Sequence, residues 1–172
     1  MTIMNPGSHA HSTLRSARAA HSASDHAHRL AHLISGGLSD LPEIEALLAT
    51  LPICATGRVF IEVDTPEQVS QLGAPSRMVV SWLVRSERSG APGSGLPCAP
   101  GQALGRAVIG WAGEMLCSPE VEPAEAHEPR AQVWLAGHFS AVADSYDYLT
   151  DTLGMDPAHI HTPRKYGIGS RH

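Results

Sequence analysis

Short apolar runs alternate with amphipathic stretches over most of the chain, which is the pattern of βαβ units. Five apolar runs predict strands, over residues 29–35, 58–63, 78–84, 132–136 and 158–162. The first ends at Gly36 and Gly37. The third (MVVSWLV) is apolar almost throughout, as a strand covered on both faces would be. The order of these runs therefore predicts a sheet whose strands are joined by helical crossovers.

Apolar residues repeat every three or four positions between these strands, which is typical of helices packed on a sheet. Three helices are predicted, one between Asp40 and Pro52, one over residues 102–116, and one from Gly137 to Gly154. Ser39 or Asp40 can cap the first helix. Parallel strands with crossovers of this length predict a three-layer α/β sandwich with a mainly parallel sheet of about five strands.

Ligands of such sheets bind beyond the carboxyl ends of the strands, where neighbouring crossovers run in opposite directions. Three segments reach that edge, namely residues 36–40, the segment that starts at Arg85, and residues 137–139. Their helix N-terminal amides can bind an anion. The glycines of residues 86–101 do not match the spacing of the known phosphate-binding loops, so they add little support for a nucleotide.

Composition limits the classes of function. The chain has 172 residues, a formal net charge of −5 and no dense basic run, which argues against nucleic-acid binding. It has neither a secretory signal nor an apolar stretch long enough to span a membrane, so we expect a cytoplasmic protein. Residues 1–28 are rich in histidine and poor in large apolar residues, which predicts a mobile tail before a domain over residues 29–172.

Cysteine and histidine do not indicate a structural metal site. Cys54, Cys98 and Cys117 are widely spaced, which favours free thiols, and we expect Cys54 and Cys117 to be buried and Cys98 to lie in a loop. The N-terminal histidines lack a fixed scaffold, so no metal ligands are assigned. The glutamates of the segment that follows the second helix are interpreted as a solvated loop.

Several segments together resemble a known family. They are SGGLSDLPEIEALLATLP, GRVFIEV, VVSWLVR, QVWLAGHFSAVADSYDYL and the ending RKYGIG. In this order they resemble the C-terminal half of siderophore-interacting proteins, which are flavin-dependent ferric-siderophore reductases of the ferredoxin reductase superfamily. The resemblance covers residues 29–169 and implies a domain related to the one that binds NAD(P)H, beside a flavin-binding barrel.

About 28 residues precede the first predicted strand, too few for a flavin barrel of roughly 100 residues. We therefore expect no flavin on this chain and a separate flavoprotein as its partner. The resemblance implies a ferric siderophore or another small molecule as the ligand. No nucleic acid or membrane partner is expected, and a homodimer through a sheet edge or the second helix is a further hypothesis.

The family's motifs change at the predicted ligand edge. Where the family has Gly-Asp-Glu-Thr, residues 36–39 are Gly-Gly-Leu-Ser, so two acidic side chains are lost while backbone amides and the Ser39 hydroxyl stay. His138 replaces the glutamate of the family's Ala-Gly-Glu. In the helix that follows, Ala143, Tyr146 and Asp147 take the places of the family's arginines. Asp144 and Asp151 add negative charge, which would repel the 2′-phosphate of NADPH. The closing Tyr-Trp-Arg-x-Gly is reduced to residues 165–169.

One hypothesis is therefore an NAD(P)H-linked oxidoreductase component. The resemblance and the predicted edge give as cofactor-binding candidates Gly36, Gly37, Ser39, Gly137 and Arg85. Arg85 is interpreted as solvated unless it reaches an adenosine phosphate. His138 would lie near the nicotinamide or the substrate, and Arg164 and Lys165 would add positive charge for a phosphate or an acidic chelate.

The alternative hypothesis is a domain that has lost redox chemistry. It would bind a small molecule at the edge around His138, or serve as an accessory protein in secondary metabolism. A third hypothesis makes His138 and Tyr166 the catalytic acid/base pair of a new site. Glu62 and Asp64 end the second strand, where related sheets recognise a ribose.

Overall fold

The structure, a computed structural model, describes residues 30–116 and 131–169. Its strands are β1 Ala31–Gly37, β2 Thr56–Val63, β3 Arg77–Val84, β4 Ala131–Leu135 and β5 Ile160–His161. They form one sheet in the order β3-β2-β1-β4-β5, and every neighbouring pair is parallel. The predicted α/β class with five parallel strands is confirmed.

Helices cover both faces of the sheet. They are α1 Leu41–Thr50, α2 Gln102–Leu116 and α3 Phe139–Asp147, and α3 continues into a π-helical turn over Tyr148–Thr152. Side chains of β1 alternate between the faces, so that Leu33 packs into the core under α2 and α3 while Ile34 packs into the core under α1. The result is the predicted three-layer sandwich.

The first strand runs two residues further than predicted. Gly36 pairs with Ile61 and Gly37 with Glu62, so both glycines belong to β1. A Cβ atom on Gly36 would lie 2.7 Å from Cδ1 of Ile44. A larger residue here would make the Ile44 side chain shift, because α1 packs closely against the end of β1.

Two details of the predicted elements were wrong. Strand β3 is an edge strand whose Val79 is 50% exposed, so its continuous apolar run does not reflect cover on both faces. Strand β5 has only two residues, because a short 3₁₀ turn over Pro157–His159 occupies the start of the predicted run. The third helix does end where it was predicted to end: it continues past Asp147 as a π-helical turn to Thr152, and Gly154 adopts the left-handed conformation (φ +64°) expected after its end.

The thiols also differ from expectation. Cys54 was predicted to be buried but is exposed, because it lies in the turn between α1 and β2. Cys98 lies in a loop as predicted, yet it is buried and its thiol donates a hydrogen bond to the Ser89 carbonyl at 3.0 Å. Cys117, the N-terminal tail over residues 1–28 and the acidic segment lie outside the described residues, apart from Glu114 at the end of α2. None of the described helices is both long and apolar enough to cross a membrane.

Burial of His32 gives the fold a testable pH dependence. Partial burial on β1 lowers the pKa of this imidazole from its ordinary value of 6.5. The unfolded chain therefore binds a proton more readily than the folded one, so the free energy of unfolding is expected to fall as the pH drops through 6.5. Denaturation of wild type and His32→Gln across this range should show a weaker dependence in the variant. If the free energy of unfolding depended equally on pH in wild type and variant, the assignment of this effect to His32 would be wrong.

Candidate functional site

An open cleft of about 540 Å³ lies at the carboxyl edge of the sheet. The crossovers from β1 to β3 and from β4 to β5 run in opposite directions, so this edge contains the switch point between β1 and β4. Four of the predicted site residues line the cleft, namely Gly37, Ser39, Gly137 and His138. Asp40, Glu62 and Asp64 add carboxylates, and no lysine or arginine is among the described residues of its lining.

The turn from β1 into α1 is organised by Asp40. Its side chain is 2% exposed, and Oδ2 accepts a hydrogen bond from the Gly37 amide at 2.9 Å. The spacing of three residues is that of a capping box, in which an acidic side chain reaches back to the first free amide. The amide that the sequence offers to a ligand phosphate is therefore bonded within the chain.

Lys165 neutralises this buried carboxylate. Its Nζ lies 2.6 Å from Oδ1 of Asp40, across 125 positions of sequence, while the lysine side chain stays 52% exposed. The hydrogen bond to Asp40 raises the pKa of Lys165 above its ordinary value, with burial opposing. The C-terminal segment is thus attached to the β1 turn by a charge-assisted contact.

Tyr166 attaches the same segment to the β4 turn. Its hydroxyl accepts a hydrogen bond from the Gly137 amide at 2.9 Å and donates one to the Gly137 carbonyl at 2.7 Å. Gly137 has φ +117°, and a Cβ atom there would lie 2.5 Å from Cδ2 of Leu104. Glycine is therefore required at this turn by its backbone conformation and by the close approach of α2.

Glu62 lies at the end of β2, where the sequence suggested a ribose contact. Its Oε1 accepts from the Gly101 amide at 2.6 Å and its Oε2 from the Leu104 amide at 2.9 Å. Both amides belong to the start of α2, whose partial positive charge favours a carboxylate. Glu62 thus acts as the N-terminal cap of a helix whose bonded amides lie 39 and 42 positions further along the chain. Local sequence patterns do not reveal a contact over that separation.

Arg85 is partly buried and paired, contrary to the expectation that it is solvated. Its guanidinium contacts Oδ1 of Asp64 at 2.6 Å, and a second nitrogen donates to the Cys98 carbonyl at 3.3 Å. Asp64 is among the described residues that line the cleft, whereas Arg85 is not. This exposed carboxylate at the end of β2 is where a ribose hydroxyl would bind in related sheets.

His138 precedes α3 and lines the cleft. Its Nδ1 lies 2.9 Å from the Ser140 hydroxyl, whereas the Tyr166 hydroxyl bonds to the Gly137 backbone. The structure brings both predicted catalytic residues to the β4 turn, but their hydrogen bonds go to different groups. The aspartates of α3 lie elsewhere, since Asp144 lines a groove beside α2 and Asp147 lines a separate depression.

The sequence predicted Asp40 only as a helix cap, and Lys165 only as a positive charge for a phosphate or an acidic chelate. The spacing of three between Gly37 and Asp40 is a local signal for the capping interaction. No local pattern indicates that Lys165 contacts Asp40, because the two residues are 125 positions apart and meet only when the C-terminal segment packs on the sheet edge.

The profile of siderophore-interacting proteins matches residues 30–163, most of the chain. The chain belongs to the siderophore-interacting protein family. A relative in Vibrio cholerae, the ferric vibriobactin reductase ViuB, is 41% identical over 61 residues, which are 36% of this chain and 22% of ViuB. An uncharacterized protein of Mycobacterium tuberculosis is 43% identical over 58 residues, 34% of this chain and 20% of that protein.

Solved structures of the siderophore-interacting protein family share the fold. A siderophore utilization protein from T. fusca superposes with a TM-score of 0.53 at 20% identity, over 76% of this chain and 42% of that one. SipS from Aeromonas hydrophila superposes with a TM-score of 0.50 at 20% identity, over 76% of this chain and 43% of SipS. This siderophore-interacting protein chain therefore spans less than half the length of these structures.

The described residues fit the family's nicotinamide dinucleotide only in part. The cleft lies at the switch point, and Asp64 can accept from a ribose hydroxyl. A pyrophosphate does not fit the described arrangement, because the Gly37 amide is bonded to Asp40, the Gly137 amide to Tyr166 and the first amides of α2 to Glu62. Among the described residues, no three His, Cys, Asp or Glu side chains converge as metal ligands.

Proposed function

We propose that this chain supplies the nucleotide-side domain of a reductase that acts on ferric siderophores. The family match and the name of the Vibrio relative support a reductase-related role. The observation that carries the proposal is the cleft at the β1/β4 switch point, lined by the backbone of Gly37 and Gly137. We infer that the flavin lies on a separate domain or flavoprotein, and that a ferric siderophore is reduced there.

A nicotinamide dinucleotide is the ligand that this proposal assigns to the cleft. The β2 side has two carboxylates, Glu62 and Asp64, against the one guanidinium of Arg85 that pairs with Asp64, so its net negative charge suits hydroxyl groups better than a 2′-phosphate. We therefore expect NADH to bind more tightly than NADPH. The pyrophosphate requires Asp40 or Tyr166 to release a backbone amide, which predicts modest affinity.

Thermal unfolding with added nucleotide tests the proposal. A ligand present at about ten times its Kd stabilises the folded state by ~1.4 kcal/mol, which raises the Tm by about 3–6 °C for a domain of this size. We expect NADH to produce such a rise, and NADPH a smaller one. His138→Gln, in the cleft, is expected to reduce the effect, whereas His161→Gln, an exposed histidine on β5, should not.

A rise with neither nucleotide would contradict the dinucleotide proposal and favour the second candidate, a non-redox binding protein. That candidate has its own support, because the amides of Gly37 and Gly137 are both engaged within the chain. Such a protein would bind a small molecule against His138 and the cleft carboxylates. A flavin absorbance spectrum in the purified chain would contradict the expectation that flavin binds elsewhere.

A further inference from the structure

The two edges of the sheet differ in how much backbone they offer to another strand. At one edge β5 has only two residues, which is too short for extensive pairing. At the other edge β3 has eight residues, Arg77–Val84, and all eight are paired in register with β2, so that no bulge interrupts the strand. No strand of the described part of the chain pairs with the outer side of β3.

The composition of β3 does not protect this edge. Natural edge strands are commonly kept from pairing by lysine, by proline, by a bulge or by an inward-pointing charge. Arg77, at the start of β3, is its only charged residue, and the strand contains no proline. Val79 is 50% exposed, while Val80, Ser81 and Trp82 are partly exposed. The middle of β3 therefore presents apolar side chains beside backbone groups that another strand can bond.

The two ends of this edge carry opposite charge. At the amino end, the guanidinium groups of Arg58 and Arg77 have no carboxylate partner among the residues that the structure describes. Arg58 is the β2 residue paired with Val79. At the carboxyl end, the 3₁₀ turn Arg85–Glu87 ends in the exposed carboxylate of Glu87, which forms no ion pair within the same described ranges. An antiparallel copy of this edge would place each positive end beside a negative end.

We propose that β3 is a self-association edge, at which it pairs antiparallel with β3 of a second copy of this chain about a two-fold axis at Ser81. The two sheets then form one continuous sheet of ten strands, since each copy contributes five. The occupant of the edge is a second copy because both the apolar pattern and the charges of β3 complement themselves when the strand is reversed.

The apolar pattern favours the register at Ser81. In a two-fold antiparallel pair, residues at equal distances before and after the axis face each other, on the same side of the sheet. Val80 then faces Trp82 of the second copy on the α1 side, and Val79 faces Leu83 on the side of α2. Pairs of aromatic or β-branched side chains are among the favourable cross-strand contacts.

The charges favour the same register. Arg77 of one copy lies diagonally across from Glu87 of the other, which is within reach of long side chains. Moving the axis by one residue would instead place Arg77 opposite Leu83, or Val79 opposite Arg85. Either shift pairs a guanidinium with an apolar side chain, so only the axis at Ser81 satisfies both the apolar residues and the charges.

This inference goes beyond the proposed function. Strand β2 separates β3 from β1, so the paired edge is distinct from the switch point between β1 and β4. Self-association and nucleotide binding are therefore measured independently, and failure of one does not imply failure of the other.

Sedimentation of the full chain over about 1–200 µM tests the inference. Pairing of one strand edge forms a small interface, so we expect a reversible dimer with a Kd in the micromolar range. Val79→Lys places a charge among the apolar pairs and should raise that Kd at least about tenfold. Met115→Lys is the matched control, because Met115 is a similarly exposed apolar residue (58%) near the end of α2, and it should leave the Kd unchanged.

Exchange of charges provides a second route if Val79→Lys does not fold. Arg77→Glu and Glu87→Arg each put like charges beside one another at both ends of the pair, so each should weaken the dimer about threefold to tenfold. The double variant restores opposite charges and should recover most of the wild-type affinity. No recovery would contradict the antiparallel register at Ser81.

A wild-type chain that remains monomeric over this range would overturn the inference, and the edge would then be available to a strand of another protein. A dimer that none of the β3 variants weakens would overturn it as well. If Met115→Lys disrupted the dimer and Val79→Lys did not, the interface would lie on the second helix and not on the edge of the sheet.

Discussion

Gly137→Ala is expected to lower the free energy of unfolding by about 2–5 kcal/mol, combining a backbone conformation disfavoured for side chains with overpacking. Gly137 has φ +117°, and the added methyl group would lie 2.5 Å from Cδ2 of Leu104 and 3.5 Å from the Gly36 carbonyl carbon. The clash falls at the β1/β4 switch point. Chemical denaturation, compared with wild type, measures the loss.

Gly154→Ala is the matched control for this substitution. Gly154 also has a positive φ, +64°, but no atom lies within 4 Å of its added Cβ. It should cost only about 1–2 kcal/mol, because φ +64° lies in the left-handed region that a side chain can adopt, whereas the φ of Gly137 lies outside it. Equal losses in the two variants would show that Leu104 moves aside, and that the close packing of α2 on the β4 turn does not require glycine.

The fold was predictable because its signals are local. Successive residues of β1 point to opposite faces of the sheet, so that Leu33 and Ile34 pack into different cores. The helical repeat of apolar residues predicted the bounds of α2, Gln102–Leu116, correctly. The edge position of β3 was not predictable in this way. An apolar strand has the same composition at the edge of a sheet as in its centre, and only the strand order shows that Val79 is exposed.

The position of the site was predictable for a similar reason, since carboxyl ends of parallel strands meet at one edge. Gly37 and His138 therefore line one cleft, although they lie about a hundred positions apart. The hydrogen bonds and ion pairs formed within the chain at that edge were not predictable. Contacts such as Lys165 with Asp40 and Tyr166 with Gly137 depend on how the C-terminal segment crosses the sheet, which no local pattern specifies.

This difference explains why the edge looks like an anion site in sequence and not in structure. The glycine turns, the helix starts and the short polar side chains are all present. Three amides at this edge, however, are bonded by a side chain from another element: Glu62 of β2 bonds the Gly101 and Leu104 amides at the start of α2, and Tyr166 bonds the Gly137 amide of the β4 turn. Stability of the fold and availability of the site are therefore in competition at these residues.

Glu62→Ala makes that competition measurable. The substitution leaves the Gly101 and Leu104 amides, both in buried residues, without their charged acceptor. We expect it to lower the free energy of unfolding by about 2–4 kcal/mol, since each buried donor left unsatisfied costs ~1–3 kcal/mol. Hydrogen exchange should also accelerate at the Leu104 amide, which reports local loss of the cap.

Two variants separate the role of the Glu62 carboxylate from a general effect of removing charge. Glu62→Gln retains one carbonyl oxygen and so should lose about half as much stability as Glu62→Ala. Glu114→Ala, an exposed glutamate near the other end of α2, should change stability by less than about 0.5 kcal/mol. If Glu62→Ala were as mild as Glu114→Ala, water would be replacing the carboxylate at the start of α2. The first turn of that helix would then be open to a ligand anion, and the competition inferred here between fold and site would be absent at β2.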